Sequence, residues 1–184
     1  MRIFYAVQAT GNGHISRANQ IIPILKKHGH VDVLLSGNNF SLKPDFTVKY
    51  KSKGISLYYN QCGSVNLQKT VFSNAVFNAF KDARQLSLES YDLVINDFDF
   101  VTSLACNFQK VPSIHFGHQA SFKSKKVPRP SKKDPIGELV LSHFAKAPYQ
   151  VGLHFKSYDR GIFPPTVKEK ITKAIRATME CSCT

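Results

Sequence analysis

A chain of 184 residues, 42% of them hydrophobic, fills one domain and leaves little for a second. No apolar run approaches the roughly 20 residues that span a bilayer, no signal-peptide core and cleavage site follow MRIFYAV, and four cysteines without framework spacing suit a reducing compartment, so the expected location is cytoplasmic. Twenty-five Lys and Arg against 12 Asp and Glu give a net charge of +13, a field that draws nucleic acid, a phospholipid surface or a phosphorylated substrate without choosing among them.

Residues 2–8, RIFYAVQ, form a short apolar run that ends in a Gly-rich loop, the pattern of a buried parallel strand. Ile15, Ala18, Ile22 and Leu25 then share one helical face, and KKHG closes that segment with cations and a glycine. Pro23, inside it, should kink the helix or shift its start. Strands are expected at 31–37, 46–50 and 55–59, the last two joined by the turn-like KSKG. From 65 to 90 there is no Pro or Gly, and Phe72, Val76, Phe80 and Ala83 keep helical spacing, which predicts one long helix. A strand at 90–98, a helix over about 100–109, a strand at 111–117, a basic loop at 123–135, a helix at 137–147 and a strand at 149–155 follow. The alternation predicts an α/β fold: a doubly wound, mostly parallel Rossmann-like sheet with helices on both faces. After Pro164-Pro165, VKEKITKAIRA reads as a short amphipathic helix, and 177–184 as a disordered tail. The Cys181-Ser182-Cys183 end has no nearby histidine or further cysteine to complete four ligands, so no metal site is expected.

Ligands of open α/β sheets sit beyond the carboxyl ends of the strands. The first such end is Gly11-Asn12-Gly13-His14, where bare backbone and free N–H groups at a helix start suit phosphate or another anion. It is not the dinucleotide fingerprint: Ser16 stands where the third glycine belongs, and the second strand ends in Ser36-Gly37 with no carboxylate for a ribose. No G-K-[ST] occurs, which disfavours a P-loop. The other ends are Asn96-Asp97-Phe98-Asp99, His115-Phe116-Gly117-His118-Gln119 and, more weakly, Ser36-Gly37-Asn38-Asn39. Plain structural roles are available to several of these: Asp99 as a helix N-cap, His115 as a packed core residue, His28 and His30 as solvated turn residues. His14 stands where loop, helix dipole and ligand meet, and is the foremost functional candidate.

TGNGHISRA at the first strand end, DLVIND at 92–97 and PSIHFGHQ at 112–119 together resemble the acceptor-side, N-terminal domain of GT-B glycosyltransferases. The likeness is to the group of the peptidoglycan N-acetylglucosaminyltransferase and galactolipid synthases (family 28) and to bacterial family 1-like glycosyltransferases. GLHFKSYDRGIFPPTVKEKI resembles the connector to their second domain. The resemblance implies a Rossmann-like domain at 1–155, a connector and helix at 156–176, and a missing donor-binding domain, so that the chain would be inactive alone. It implies transfer of a sugar from a nucleotide-sugar, UDP-linked, to an unidentified acceptor, with no cofactor or metal required. His14 would be the general base for the acceptor hydroxyl, and Asp97 would orient it or serve as the base instead. Gly11, Asn12 and Gly13 would face the donor diphosphate, and His118, Gln119 and Asp99 would line the acceptor pocket. The partners implied are a lipid or anionic acceptor and either a homodimer mate or a separate donor-domain subunit.

KSKKVPRPSKK carries six cations in eleven residues, with two prolines that prevent helix and strand. Lys125, Lys126, Arg129, Lys132 and Lys133 are either a solvated loop or a contact for an anionic acceptor or the inner face of the membrane, with Phe116, Phe122 and Val127 as apolar anchors. Without an RNA-binding aromatic motif, helix-turn-helix pattern or zinc site, nucleic acid is not expected. The alternative to a transferase is a non-catalytic anion- or membrane-surface-binding Rossmann-like module.

Overall fold

The computed structural model describes residues 1–55 and 75–166. Within them the strands are β1 (Arg2–Gln8), β2 (His30–Ser36), β3 (Tyr50–Ser52), β4 (Leu93–Asp97), β5 (Ile114–Gly117), β6 (Tyr149–Leu153) and β7 (Ile162–Phe163). The helices are α1 (Asn12–Leu25), α2 (Ala75–Gln85), α3 (Phe100–Gln109), the single turn α4 (His118–Ser121) and α5 (Pro135–His143). All neighbouring strands pair in parallel, in the order β3-β2-β1-β4-β5-β6-β7.

β1 is central because nearly every residue in it is apolar and both of its faces are covered. Ile3, Tyr5 and Val7 pack with Ile15, Ala18 and Ile22 of α1 and with Val33 and Leu35 of β2. Phe4 and Ala6, on the other face, join Leu34, Val94, Ala79, Ala83, Val101 and Phe144. At about 1.5–3 kcal/mol for each large side chain removed from water, this two-sided burial fixes β1 in the middle. The chain steps from β1 to one side through β2 and β3, then returns to pair β4 on the other side. The order therefore reverses between β1 and β4, where Val7 lies opposite Asp97. A crevice at the carboxyl ends of these two strands is where such sheets bind ligands.

Several boundaries differ from the sequence expectation. FTVKY does not form a strand over 46–50; pairing is confined to Tyr50–Ser52, because Phe46 and Val48 instead pack as loop side chains against the α1-side core. The expected helix over 65–90 ends at Gln85, where Leu86 and Leu88 turn inward to the core; its portion at 65–74 lies outside the described residues, as do most of the expected strand at 55–59 and the elements expected after 166. α1 begins at Asn12, three residues before the apolar face, and Pro23 falls in its last turn. β7 was not foreseen: Ile162–Phe163, within the segment read as a connector, pairs Gly152 and Leu153 of β6.

Candidate functional site

Asp97 ends β4 at the crevice, and its side chain is 0% exposed. The next residue, Phe98, has a φ of 59°, a left-handed conformation that bulky residues rarely adopt and that costs about 1–3 kcal/mol. Packing of its ring against His115 and Phe144, with centroids 5.8 and 5.1 Å away, holds it there. Asn96 braces the turn, accepting from the Asp99 N–H at 2.6 Å and donating to the Asp99 carbonyl at 2.9 Å. The turn thus separates two carboxylates: Asp99 faces α3, and Asp97 faces α1.

Asp99 is the N-cap of α3, accepting the Thr102 N–H at 2.7 Å. It is 1% exposed, and burial raises its pKa above the ordinary carboxylate value despite the bond from Thr102. Of the two roles foreseen for it, the structure gives it the cap.

Asp97 collects a network. Arg17 donates to it through two bonds, Nε to Oδ2 at 2.8 Å and Nη2 to Oδ1 at 2.6 Å. The buried Tyr5 hydroxyl donates to Oδ2 at 3.3 Å. His14 Nδ1 lies 2.7 Å from Oδ1. His14 and Arg17 are three residues apart on α1, so they project from one face onto the same carboxylate, beside the buried stripe of Ile15, Ala18 and Ile22. Burial alone would raise Asp97, but the Arg17 charge and then His14 overcome it and hold the carboxyl well below its usual range. Tyr5 moves the other way: burial first, and then the Asp97 charge, raise its pKa well above the ordinary value. Gly117 makes room for the network, since a Cβ there would come within 3.0 Å of Arg17 Nη2 and 3.2 Å of Asp97 Oδ1.

When Nδ1 carries the proton it donates to Asp97, and Nε2 keeps a lone pair. The His14 and Arg17 side chains each retain 14% exposure. Gly13 and Arg17, on either side of His14 in the chain, line a cavity of about 310 Å³ with His118, Leu153, His154 and Phe155. His118 is exposed, its Nδ1 3.0 Å from the Leu153 carbonyl oxygen and its ring edge-on to Phe122 at 4.9 Å. Gln119 is half-buried, and its Oε1 has no hydrogen-bond partner among the described residues; it does not line this cavity. A larger cavity of about 650 Å³ lies at the other end of the sheet, ahead of β5 and β6, lined by Phe100, Cys106, Val111, Ser113 and Lys146. It meets none of the strand-end residues, and burial pushes the Cys106 thiol up to about 11, away from reactivity.

The Gly-rich loop divides its tasks. Gly11, at φ 140°, is the N-cap of α1 and offers no side-chain cap to the first N–H groups. A Cβ at Gly11 or Gly13 would meet nothing within 4 Å, so the space over the helix start is open. Asn12 turns away: its Oδ1 accepts the N–H groups of Ser41 and Leu42, each at 2.9 Å, and its Nδ2 donates to the Ser41 hydroxyl at 2.9 Å. Its side chain fastens the loop after β2.

In the basic segment, Lys126 pairs with Asp159 at 2.8 Å, and Arg129 pairs with Glu138 and lies over the Phe122 ring. Lys125, Lys132 and Lys133 are exposed and make no ion pair among the described residues. Two expected apolar anchors are corrected: Val127 is 2% exposed and so has no apolar surface to offer, and Phe116 is half-buried between Tyr5 and Arg17. His115, as expected of a core residue, is 1% exposed. His30 opens β2 and hydrogen-bonds Asp32 at 3.0 Å rather than standing in a turn.

Sequence reasoning passed over Arg17 and Tyr5. The signal for Arg17 was present: a cation three residues after His14 on the same helix face, and a strand-end aspartate that needs a counter-charge once buried.

A sequence model of the family described as Glycosyl transferase family 1 matches residues 1–174. The chain belongs to that family. Its all-parallel, Rossmann-like sheet is the architecture of one half of a GT-B glycosyltransferase. A comparison with curated proteins returned no match. Among the described residues no helix is long and apolar enough to cross a membrane, and no cluster of three metal-ligating side chains occurs.

Proposed function

We propose that this domain is the acceptor side of a nucleotide-sugar glycosyltransferase and carries its general base. Nε2 of His14 takes the proton of an acceptor hydroxyl as that oxygen bonds to the anomeric carbon of the donor sugar. The bond from that carbon to the diphosphate breaks, and the nucleoside diphosphate leaves with the electron pair. The carrying observation is the 2.7 Å contact of His14 Nδ1 with a fully buried, charged Asp97. A carboxylate in that position selects the Nδ1–H tautomer and stabilises the imidazolium that forms. Its burial favours the orienting role for Asp97 over the role of base. The open space over Gly11 and Gly13, next to uncapped N–H groups at the start of α1, suits the donor diphosphate, UDP in the first instance. The cavity at His118 and His154 suits the acceptor.

The base and the cavity both open at one end of a single sheet, so transfer requires a second body that brings the donor sugar over the strand ends. That body is a donor-binding domain, on the same polypeptide or on a partner, and without it we expect nucleotide-sugar binding to be weak and turnover absent. Exposed Lys125, Lys132 and Lys133 suit peripheral contact with anionic lipid that presents the acceptor. The test is transfer of a labelled sugar from a panel of nucleotide-sugars by the wild type and His14→Ala in the assembly that supports turnover. Loss of transfer by about 10²-fold or more supports the assignment; undiminished transfer removes His14 from the chemistry.

A further inference from the structure

We propose that Arg17 is a positioning residue that sets the protonation state of His14. It does so by binding both oxygens of Asp97 while placing its own positive charge 2.9 Å from His14 Nδ1. The inference rests on the reading of His14 as the base.

The geometry gives Arg17 two opposed effects. A carboxylate removed from water favours its neutral form, and a neutral carboxyl would neither accept the His14 proton well nor stabilise an imidazolium. The paired bonds from Nε and Nη2 keep Asp97 charged and fix the plane of its carboxylate, so that Oδ1 stays directed at Nδ1. At the same time the guanidinium disfavours a second positive charge on its neighbour. The Asp97 carboxylate favours a proton on the His14 ring and the Arg17 guanidinium opposes it, so the two act against each other at Nδ1 while the carboxylate remains to share the charge once Nε2 accepts a proton. Nη2 lies within hydrogen-bond reach of both Oδ1 and Nδ1, so Arg17 also competes for the Nδ1 lone pair whenever the proton is on Nε2.

The other titratable groups around His14 do not supply this balance. On β1, the Tyr5 hydroxyl donates to Asp97 and is neutral. On β5, burial pushes His115 down to about 4, so it is neutral near pH 7. His118, on the turn after β5, directs Nδ1 to the Leu153 carbonyl. Arg17 is the fixed cation of the group, and Gly117 is the residue that leaves space for it.

The experiment follows the His14 ring by NMR titration in the wild type, Arg17→Gln, Arg17→Lys and Asp97→Asn, using the protein alone. We expect the midpoint to rise by about one pH unit in Arg17→Gln, to stay near the wild type in Arg17→Lys, and to fall in Asp97→Asn. In the transfer assay, the acid limb of the kcat/KM profile should rise in Arg17→Gln by the same amount. An unchanged or lowered midpoint in Arg17→Gln, with Asp97→Asn still lowering it, overturns the proposal. A raised midpoint with no change in the acid limb upholds the electrostatic role of Arg17 and refutes His14 as the base. If Arg17→Gln fails to fold, Arg17→Lys decides: retention of the wild-type midpoint supports a charge effect, and a rise equal to that expected of Arg17→Gln contradicts it.

Discussion

Replacing Asp97 by Asn tests whether the site is a buried ion network rather than a set of adjacent polar groups. The substitution is nearly isosteric, so packing around β1 and β4 is unchanged, but the chemistry inverts at one atom. Four donor groups converge on the Asp97 carboxylate: Arg17 Nε, Arg17 Nη2, the Tyr5 hydroxyl and His14 Nδ1–H. An amide accepts only through its single oxygen and turns an NH₂ group toward donors that can no longer be satisfied. Removing one partner of a buried pair costs about 3–5 kcal/mol. The Arg17 side chain keeps 14% exposure, so water recovers some of that loss, and we expect about 3 kcal/mol. For a chain of 184 residues this lowers Tm by roughly 6–12 °C. Urea unfolding followed by circular dichroism gives the free energy, and a thermal scan gives the shift. The double variant Asp97→Asn/Arg17→Met should regain part of the loss, because it removes the stranded charge with its former partner. Stability of Asp97→Asn within about 0.5 kcal/mol of the wild type, the usual size of a surface substitution, would refute the reasoning.

Other outcomes follow from the same geometry. Burial pushes His115 from an ordinary 6.5 down to about 4; the unfolded chain takes up that proton first, so stability is complete above pH 6.5 and declines as pH falls toward 4, by up to about 3 kcal/mol. Urea midpoints across that range should show the slope, and His115→Phe should flatten it. Gly11→Ala places a Cβ at a φ of 140° and should destabilise by about 1–3 kcal/mol, read by thermal unfolding. Gly13→Ala meets open space within α1 and should leave Tm unchanged or raised, yet weaken nucleoside diphosphate binding in calorimetry by about tenfold if the diphosphate lies there. Lys125→Gln/Lys132→Gln/Lys133→Gln should cut binding to phosphatidylglycerol vesicles at least about tenfold, whereas Lys126→Gln, whose partner is Asp159, should change it less; equal losses would argue against the exposed cations as the contact.

Much of the architecture was legible because it follows from local pattern. The apolar runs at 2–8 and in 90–98 can be buried on two faces only in a parallel sheet, and both became inner strands. The period of Ile15, Ala18 and Ile22 marked the buried face of α1. The strand ends named His14 and Asp97, which the fold brings within 2.7 Å although 83 positions separate them. What could not be read depends on tertiary pairing. The two-residue strand β7 exists only because the exposed edge of β6 accepts it. FTVKY alternates like a strand, but only Tyr50–Ser52 reach the register of β2. Asn12 sits in the Gly-rich motif, yet its side chain serves a loop 29 residues on. Arg17 was legible only in combination: a surface-like arginine on an amphipathic helix is marked by standing three residues after His14 and by a strand-end aspartate that needs a counter-charge once buried.

The central claim is that His14, held by Asp97, accepts the proton of a hydroxyl during sugar transfer. The most direct measurement is single-turnover transfer of a labelled sugar by protein purified from its native host, in the length and assembly it has there, comparing the wild type with His14→Ala and His14→Gln. The account predicts that both variants bind the nucleotide-sugar with near wild-type affinity and transfer it at least about 10²-fold more slowly. Transfer by His14→Ala at the wild-type rate would contradict it.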